Sequence, residues 1–542
     1  MSPRRRVLLS AISSILLHTA LAVPVRAQFY DAARGSLGFS LDVIERSPRL
    51  LGMGGMTFVG DDPHTAITLW DFARSPLGIL DADSLNTAEL YPATSSYSQV
   101  HDVANDTRTI ERQDGAARET RVGYELWRRA GGRSAYGIAG DFGSLRMDQI
   151  FSETVERRSA FSQPTVMPVL MGHMPYVKSS HWLYSVQLYY SGETKNVQYR
   201  SVSENSQVQG IDQTSVEVDP PDYFTPTDFT VRSTGGGVGL AYDRGRALKA
   251  AVTMDIVQNA IKGTNEAPRR YEQNEEKRPY RTDQATLVGH LGRSLEWGVD
   301  GRDWRSQSEE NWFFSASAGV GSDPLVGRGK LLEREERGRA LRTRLRWKSG
   351  PFEVGGGLAT GYRKIVTTPP GLDDPTSFNY FLDMVAYRTN ADSLAFPDSV
   401  VFNQSEERTW EGGGGLALRL PGARGSWGVE YHRLQGLTEQ TTSGQGPLRK
   451  SWDARTGLEY RCTPVLTGRV GYAYRREDLD DYTRQNEFLA HTLTLGLGLR
   501  PAGATWSFDA GYAVEWRRAD YEAPGELHSS RQQLASMVRW AF

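Results

Sequence analysis

Cysteine is almost absent from this chain of 542 residues. Cys462 is the only one, so no intrachain disulfide can form and no multi-cysteine metal site is available. The net charge is also small, at -2 from 63 basic and 65 acidic residues. It gives no reason to expect a nucleic-acid partner. After the N-terminal apolar run, no stretch approaches the roughly 18 to 20 consecutive apolar residues of a membrane helix.

Motifs of catalysis and cofactor binding are also missing. The 9 histidines are scattered without the spacing of a metal site, and no G-x-S-x-G elbow is present. The stretch GMGGMTFVG lacks the spacing of a dinucleotide-binding fingerprint and follows no clear strand. We therefore expect no cofactor, no metal and no enzymatic activity. A serine and a histidine that meet only in the folded protein are the catalytic alternative.

The N-terminus has the layout of a secretory signal peptide. Three arginines at 4–6 precede an apolar run at 7–23, and Val25-Arg26-Ala27 resembles a small-residue cleavage site. Serines and a histidine dilute the apolar run, which argues against a membrane anchor. We predict that residues 1–27 are removed and that the mature, exported chain begins at Gln28.

Apolar and polar residues alternate with a period of two, which is typical of strands. In TWSFDAGYAVEWRR one face collects Trp506, Phe508, Ala510, Tyr512, Val514 and Trp516. In HTLTLGLGLR one face collects Leu493, Leu495, Leu497 and Leu499. Such segments run for about 10 to 14 residues with aromatics near their ends, which favours tilted membrane strands over the shorter strands of globular sheets.

Short connections alternate with long polar ones. The short ones are 130–133, 178–181, 243–247, 348–351, 421–425, 462–465 and 501–504. We expect long loops at 263–284 and at about 364–408, and an irregular polar connection at 298–310. Outer-membrane barrels have this asymmetry. Residues 89–542 are therefore predicted to form an antiparallel transmembrane β-barrel with an even number of strands, between 14 and 18, in the outer membrane of a Gram-negative-type bacterium; a soluble periplasmic β-sandwich is the alternative.

The C-terminus repeats the alternation and ends on an aromatic residue. Leu534, Val538, Trp540 and Phe542 share one face of the last predicted strand. A terminal aromatic on such a strand resembles the signal by which barrel-assembly machinery recognises its clients. We expect that machinery and outer-membrane lipid to be partners of the chain.

Residues 28–88 precede the first convincing strand, and we predict that they form a hatch that plugs the barrel. Gly52, Gly54 and Gly55 permit close backbone packing or a positive φ, and Asp61 or Asp62 is suited to cap a turn. A barrel of this width leaves a lumen that side chains do not fill, and a free N-terminal segment is well placed to occupy it.

This segment resembles the amino-terminal hatch of the long-chain fatty-acid transporter (FadL-like) family, including its PorV-like relatives. The shared pattern is Arg49, then Gly-Met-Gly-Gly at 52–55, Phe58-Val59, the acidic pair, and the apolar run 67–70. The stretch DFARSPLG at 71–78 stands in place of the family's Asn-Pro-Ala-Gly. The resemblance implies a barrel of fourteen strands that takes up hydrophobic compounds.

A basic stripe is expected in the lumen. In ALRTRLRWK the cations alternate with apolar or small residues and would face inward: Arg342, Arg344, Arg346 and Lys348. The stripe would attract the carboxylate of an amphipathic ligand or other anions. In the alternative interpretation the lumen is simply polar, with these charges offset by acids such as Asp453, Glu459, Asp509 and Glu515.

Three functions follow from these features. The leading hypothesis is passive uptake of hydrophobic or amphipathic small molecules, such as fatty acids, through a plugged barrel. The second is a PorV-like structural or binding barrel that serves a secretion or surface-attachment system, and the third is an open diffusion porin.

Replacing Phe542 by Asp should lower the yield of folded protein in the outer membrane, because the terminal aromatic is the predicted assembly signal. The shift in mobility on unheated SDS gels measures the folded fraction. An equal folded yield for wild type and Phe542→Asp would contradict the role assigned to this residue.

Overall fold

The fold is described from a computed structural model. The described residues are 48–56, 87–104, 110–130, 134–152, 155–173, 181–201, 223–244, 247–267, 270–316, 325–370, 402–420, 424–440, 444–481, 484–521 and 525–542. The predicted signal peptide, most of the predicted hatch, Asp61 and Asp62 lie outside these ranges. Within the described part, no helix has both the length and the apolar character needed to cross a membrane.

One short helix and eighteen strands make up the described structure. The helix α1 is Pro48–Gly52. The strands are β1 Thr87–Ala104, β2 Ile110–Ala130, β3 Ser134–Ser152, β4 Val155–His173, β5 Trp182–Ser201, β6 Tyr223–Asp243, β7 Leu248–Ala267, β8 Arg270–Leu291, β9 Leu295–Ala316, β10 Leu325–Ser349, β11 Phe352–Thr368, β12 Asn403–Arg419, β13 Gly425–Gln440, β14 Gly444–Arg461, β15 Leu466–Asp481, β16 Arg484–Leu499, β17 Trp506–Tyr521 and β18 Gly525–Ala541.

All strands belong to one antiparallel sheet. Each strand pairs with the next along the chain. The last strand, β18, also pairs with β1, in a register that runs from Thr87↔Ala541 to Val103↔Gly525. The hydrogen-bonded ladder therefore returns to its first strand, which leaves no unpaired edge. The fold class is an antiparallel transmembrane β-barrel, and its eighteen strands exceed the fourteen of the family that the hatch resembles.

The two faces of the sheet meet different surroundings. In β16, Leu493, Leu495 and Leu497 are 50%, 60% and 39% exposed, while Thr494 between them is 3% exposed. The same alternation places Arg469 and Gly471 inside and Val470 outside in β15. Exposed large apolar side chains recur in this way on strands around the ring. Together they form an outward apolar belt, as the lipid-facing surface of a membrane barrel requires.

The turns on one side are close to the predicted ones, except that β4 ends at His173, so the connection before β5 spans 174–181 instead of 178–181. The strands on either side of the seven short connections end and begin within a few residues of them. Three other connections were predicted incorrectly: two long loops on the opposite side, and the polar connection 298–310 at the position of a short turn. The expected loop 263–284 is the paired ends of β7 and β8, the expected connection 298–310 lies inside β9, and the forty-residue connection shrinks to 369–402 because β11 and β12 extend into it.

The physical reason is that the strands are longer than the membrane is thick. They have 16 to 25 residues, against about 9 to 11 needed to cross the hydrocarbon. Beyond the apolar belt the outer face of β8–β10 is charged, for example at Lys277, Asp303 and Arg337. Alternation between apolar and polar residues disappears there because both faces are polar, although the ladder continues.

Leu495→Arg should reduce the free energy of unfolding by about 2–4 kcal/mol, the cost of placing a guanidinium in the lipid. Gln307→Arg, on the outward face beyond the belt, is the matched control and should cost almost nothing. Guanidinium titrations of protein folded into phosphatidylcholine vesicles measure both values. Equal costs for the two variants would show that the outward face of β16 does not meet hydrocarbon.

Candidate functional site

The candidate site is the place where Pro48–Met56, called here the docking segment, lies against the inner wall of the barrel. The segment begins with α1 and turns at Gly54 and Gly55, whose φ values are 74° and 76°. Their positive φ is a conformation that glycine adopts without steric cost. The N–H groups of Met53 and Gly55 donate to the carbonyl oxygen of Leu50 at 3.0 and 2.9 Å, which closes the turn.

Five glycines on five adjacent strands receive the docking segment, and we call them the glycine floor. They are Gly428 of β13, Gly457 of β14, Gly471 of β15, Gly496 of β16 and Gly511 of β17. Gly457 is the direct cross-strand partner of Gly428 and of Gly471, and Gly496 is that of Gly511. The glycines therefore cross the inner wall in two runs of direct partners, which are offset by two residues between β15 and β16, where Gly471 pairs with Thr494.

The contact is backbone against backbone. A Cβ on Gly471 would lie 2.2 Å from the Gly54 nitrogen, and one on Gly511 would lie 2.2 Å from the Pro48 carbonyl oxygen. A Cβ on Gly457 would be 2.3 Å from the Met53 carbonyl oxygen. Glycine in a strand often marks such an approach. Any side chain at these positions would force the docking segment away from the wall.

A chain of buried and half-buried charges fixes one end of the segment. Arg49 donates from Nε and Nη2 to the two carboxylate oxygens of Glu459, at 2.7 and 2.9 Å. Arg469 donates from Nε to Glu459 at 2.7 Å, and its Nη1 lies 2.7 Å from a carboxylate oxygen of Asp509. We call Arg49, Glu459, Arg469 and Asp509 the ion network. Each charge has an opposite charge beside it, which reduces the penalty of removing it from water.

Two wall residues bind the glycine turn directly. Gly54 donates from its backbone nitrogen to Thr494 Oγ1 at 2.9 Å, and Arg455 donates from Nη1 to the Gly55 carbonyl oxygen at 2.6 Å. Arg455 is itself held by two hydrogen bonds of 2.9 Å to Asp453. The peptide groups of the turn are thus paired with side chains of the wall, where water cannot reach them.

Apolar burial supplies most of the stabilisation. Leu50, Leu51, Met53 and Met56 are between 1% and 8% exposed. The two methionines cluster with Ala359 and Ala417, and Leu51 clusters with Ala513 and Ala535. Each buried Leu or Met contributes about 1.5–3 kcal/mol. A buried ion pair contributes little net free energy after desolvation, so the ion network specifies the position of the segment and the apolar side chains hold it there.

The structure places the predicted site residues in three groups. Gly52, Gly54 and Gly55 lie in the docking segment, and a Cβ on Gly52 would be 2.7 Å from the Gly496 Cα. Phe542 directly follows β18 and is 62% exposed. The predicted stripe lies on β10, where Leu341, Leu345 and Trp347 between its cations are exposed on the outward face.

The stripe is not a row of isolated cations. Arg342 lies 3.8 Å from Asp300, Arg346 forms an ion pair with Glu353, and Arg344 and Lys348 also interact with neighbouring groups. Of the acids proposed to offset it, Asp453, Glu459 and Asp509 instead bind arginines at or beside the docking segment. A polar lumen of mixed charge describes these residues better than a stripe of one sign.

Sequence reasoning missed the glycine floor, Thr494 and Arg455. The available signal was glycine at inward positions of strands that otherwise alternate regularly, such as Gly471 in RVGYAYR and Gly511 in FDAGYAV. It identifies a close approach but not the segment that approaches.

Gly471→Ala should release the docking segment, because the new methyl would overlap the Gly54 backbone. Overpacking costs about 1–3 kcal/mol. A cost of about 1.4 kcal/mol shifts the equilibrium between docked and released segment roughly tenfold. A cysteine at position 53, in a Cys462→Ser background, should therefore react with a small maleimide about tenfold faster. Gly436→Ala is the control, since the nearest atom to its Cβ lies 3.7 Å away. The same labelling rate in both variants would contradict the assignment of the floor.

Comparisons with known proteins give similarity of shape only. No family model and no curated protein matches the chain. Among solved structures it is similar to the ferric yersiniabactin uptake receptor FyuA of Yersinia pestis, with a TM-score of 0.43, 8% identity, and coverage of 85% of this chain and 80% of that chain. It is also similar to the Pseudomonas putida toluene transporter TodX, with a TM-score of 0.36, 10% identity, and coverage of 91% of this chain and 97% of that chain. A Pseudomonas aeruginosa FadL homologue is similar with a TM-score of 0.33, 12% identity, and coverage of 92% of this chain and 98% of that chain. TM-scores of this size say nothing about what the chain binds.

Proposed function

We propose that the protein is an outer-membrane barrel for gated, passive uptake of small hydrophobic or amphipathic molecules, with residues 28–88 as its hatch. The observation that carries the proposal is the position of the docking segment, which lies inside the barrel against the glycine floor. A segment in that position narrows the lumen, and a solute that crosses the barrel must pass it or displace it.

The outer membrane is the location that best fits the surface. The outward apolar belt requires lipid, and barrels of this type occupy outer membranes. The predicted signal peptide and the terminal Phe542 agree with export and assembly there.

The hatch is suited to movement because the barrel does not depend on it. All eighteen strand pairings are made without the docking segment. Its contacts with the wall are non-covalent: apolar contacts, the Arg49–Glu459 pair and the two hydrogen bonds to the glycine turn. Displacing the segment therefore costs those contacts and leaves the backbone ladder complete.

The chemistry around the docking segment favours a ligand with an apolar body and a polar end. Met53 and Met56 are buried between the docking segment and the wall, so displacing the segment would expose their flexible apolar side chains, which adapt to different shapes. Beside them, the ion network offers both carboxylates and guanidinium groups. The mixed charges around Arg342 and Arg346 add polar partners farther along the wall.

Removing residues 30–85 should leave a folded barrel with higher single-channel conductance in planar bilayers. Gly54→Val should have a smaller effect in the same direction, because its side chain would be strained at φ +74° and would meet the Thr456 carbonyl oxygen at 2.7 Å. Gly503→Val is the matched control: Gly503 has φ +71° but no atom within 4 Å of its Cβ. It carries the same backbone strain without touching the segment.

The outcomes separate the candidate functions. A truncated protein that conducts no more than the full chain would show that the segment is not a plug. The secretion or surface-attachment barrel would then be the better candidate, provided that conductance is low in both forms. High and equal conductance in both forms would identify an open diffusion porin.

A further inference from the structure

A row of cations crosses the outward face of the barrel beyond the apolar belt. Arg281 of β8 is the direct cross-strand partner of Arg305 of β9, which in turn is the partner of Arg337 of β10. Arg337 is the partner of Lys364 of β11. We call these four residues the arginine row. Direct partners share a face of the sheet, so the four side chains stand side by side.

Such a row is unfavourable for the barrel alone. Direct partners have Cβ atoms about 4.5–5.5 Å apart, and like charges at that spacing destabilise a sheet. Arg281 has Asp283 at 3.0 Å, Lys364 has Glu406 at 3.3 Å, and Arg337 pairs with Glu335. Arg305, between two arginines, makes no hydrogen bond or ion pair with any residue in the described ranges. An external anion would therefore gain the most electrostatic stabilisation beside the exposed guanidinium of Arg305.

The row lies at the border of the lipid. Ile256 of β7, 52% exposed, is the direct partner of Arg281, so the apolar belt reaches the row on that side. On β10 the first outward apolar residue is Leu341, which is 45% exposed and four positions from Arg337. Outer-membrane barrels have their short turns on the periplasmic side, so the opposite side, which carries the long strand extensions, is taken as the outer side. The row is therefore level with the headgroups of the outer leaflet.

A polar groove adjoins the row. Its volume is about 660 Å³, and Gln258, Lys277, Pro279, Gln307 and Glu309 contribute to its lining. Proline has no N–H, and the β8–β9 pairing stops at Lys277↔Glu309 and resumes at Tyr280↔Ser306. Amide, ammonium and carboxylate groups around this gap offer the mixed donors and acceptors that sugar hydroxyls require.

We propose that the arginine row and the groove bind the phosphorylated sugar headgroup of an outer-leaflet glycolipid. A phosphate beside Arg305 would accept hydrogen bonds from its guanidinium and would be within the field of Arg281 and Arg337. Guanidinium groups match phosphate oxygens in geometry as well as charge. The sugar would occupy the groove above, while the acyl chains would continue along the belt. This site is on the outer wall and does not depend on the transport proposal.

The test uses the full chain folded in a phosphate-free, uncharged detergent. The probe is lipid A, a bisphosphorylated glucosamine disaccharide lipid, and its binding is followed by native mass spectrometry and by thermal melting. The variant is Arg305→Gln. Arg433→Gln is the matched control, because Arg433 is exposed on the outward face of β13 and has Gly412 and Trp452, not cations, as direct partners.

Arg305→Gln is expected to affect thermal stability differently without and with lipid. Without lipid, Arg305→Gln should melt no lower than wild type, because it removes like-charge repulsion. With lipid A, wild type and Arg433→Gln should gain more stability than Arg305→Gln, whose affinity should fall at least about tenfold. A tenfold loss of affinity corresponds to about 1.4 kcal/mol, which is within reach of one lost hydrogen bond between charged groups.

Other results would overturn the proposal. A lower melting temperature for Arg305→Gln without lipid would assign Arg305 a structural role. Equal lipid A affinity in wild type and Arg305→Gln would remove the row from the site. Two competitors test the source of the phosphate: phosphatidylglycerol that binds as tightly as lipid A would indicate a general anionic-lipid surface. Millimolar inorganic phosphate that abolishes lipid A binding would indicate a site for free phosphate.

Discussion

Backbone hydrogen bonding in lipid is the constraint on which the rest of this structure depends. No water is available in the hydrocarbon to pair with an exposed N–H or C=O group, so a sheet that crosses it must close. Here the pairing of β1 with β18 closes the ring. Closure also assigns the two faces of every strand, one to lipid and one to the lumen, and thereby fixes which residues of distant strands become neighbours inside.

A ring of eighteen strands encloses more space than its own side chains fill, and the docking segment occupies part of that space by an unusual fit. Both surfaces lack side chains at the contact: Gly52 and Gly54 on the segment face Gly496 and Gly471 on the wall. Glycine weakens a strand by about 0.5–1 kcal/mol relative to alanine. Four well-buried apolar side chains of the segment outweigh that loss at the floor, whereas the ion network mainly selects the position.

The sequence was sufficient to predict features that depend on a local period of two. Leu493, Leu495 and Leu497 alternate with small or polar residues because lipid and lumen select opposite chemistry, and the short turns follow from pairing consecutive strands. The stretch 263–284 was misread as a loop because alternation vanishes where both faces are polar, although pairing persists. Gly471 could be recognised only as a close approach. Its contact, Gly54, is more than four hundred positions away, and no local pattern encodes that distance.

The long strands beyond the belt are stiffened from inside. Glu336, 1% exposed, accepts hydrogen bonds from Tyr280 at 3.0 Å and from Arg363 at 2.9 Å, and Trp304 covers Gly338 on the same face. Since Arg337 lies between Glu336 and Gly338 in β10, this buried cluster also sets the backbone that carries the arginine row on the other face. The glycine floor and the arginine row thus have a common physical basis. Each contains residues that weaken a sheet taken alone, glycine in one case and opposed arginines in the other. Each is stable where a group from outside the strands compensates: the docking segment on the inner wall and, in our proposal, a lipid phosphate on the outer one.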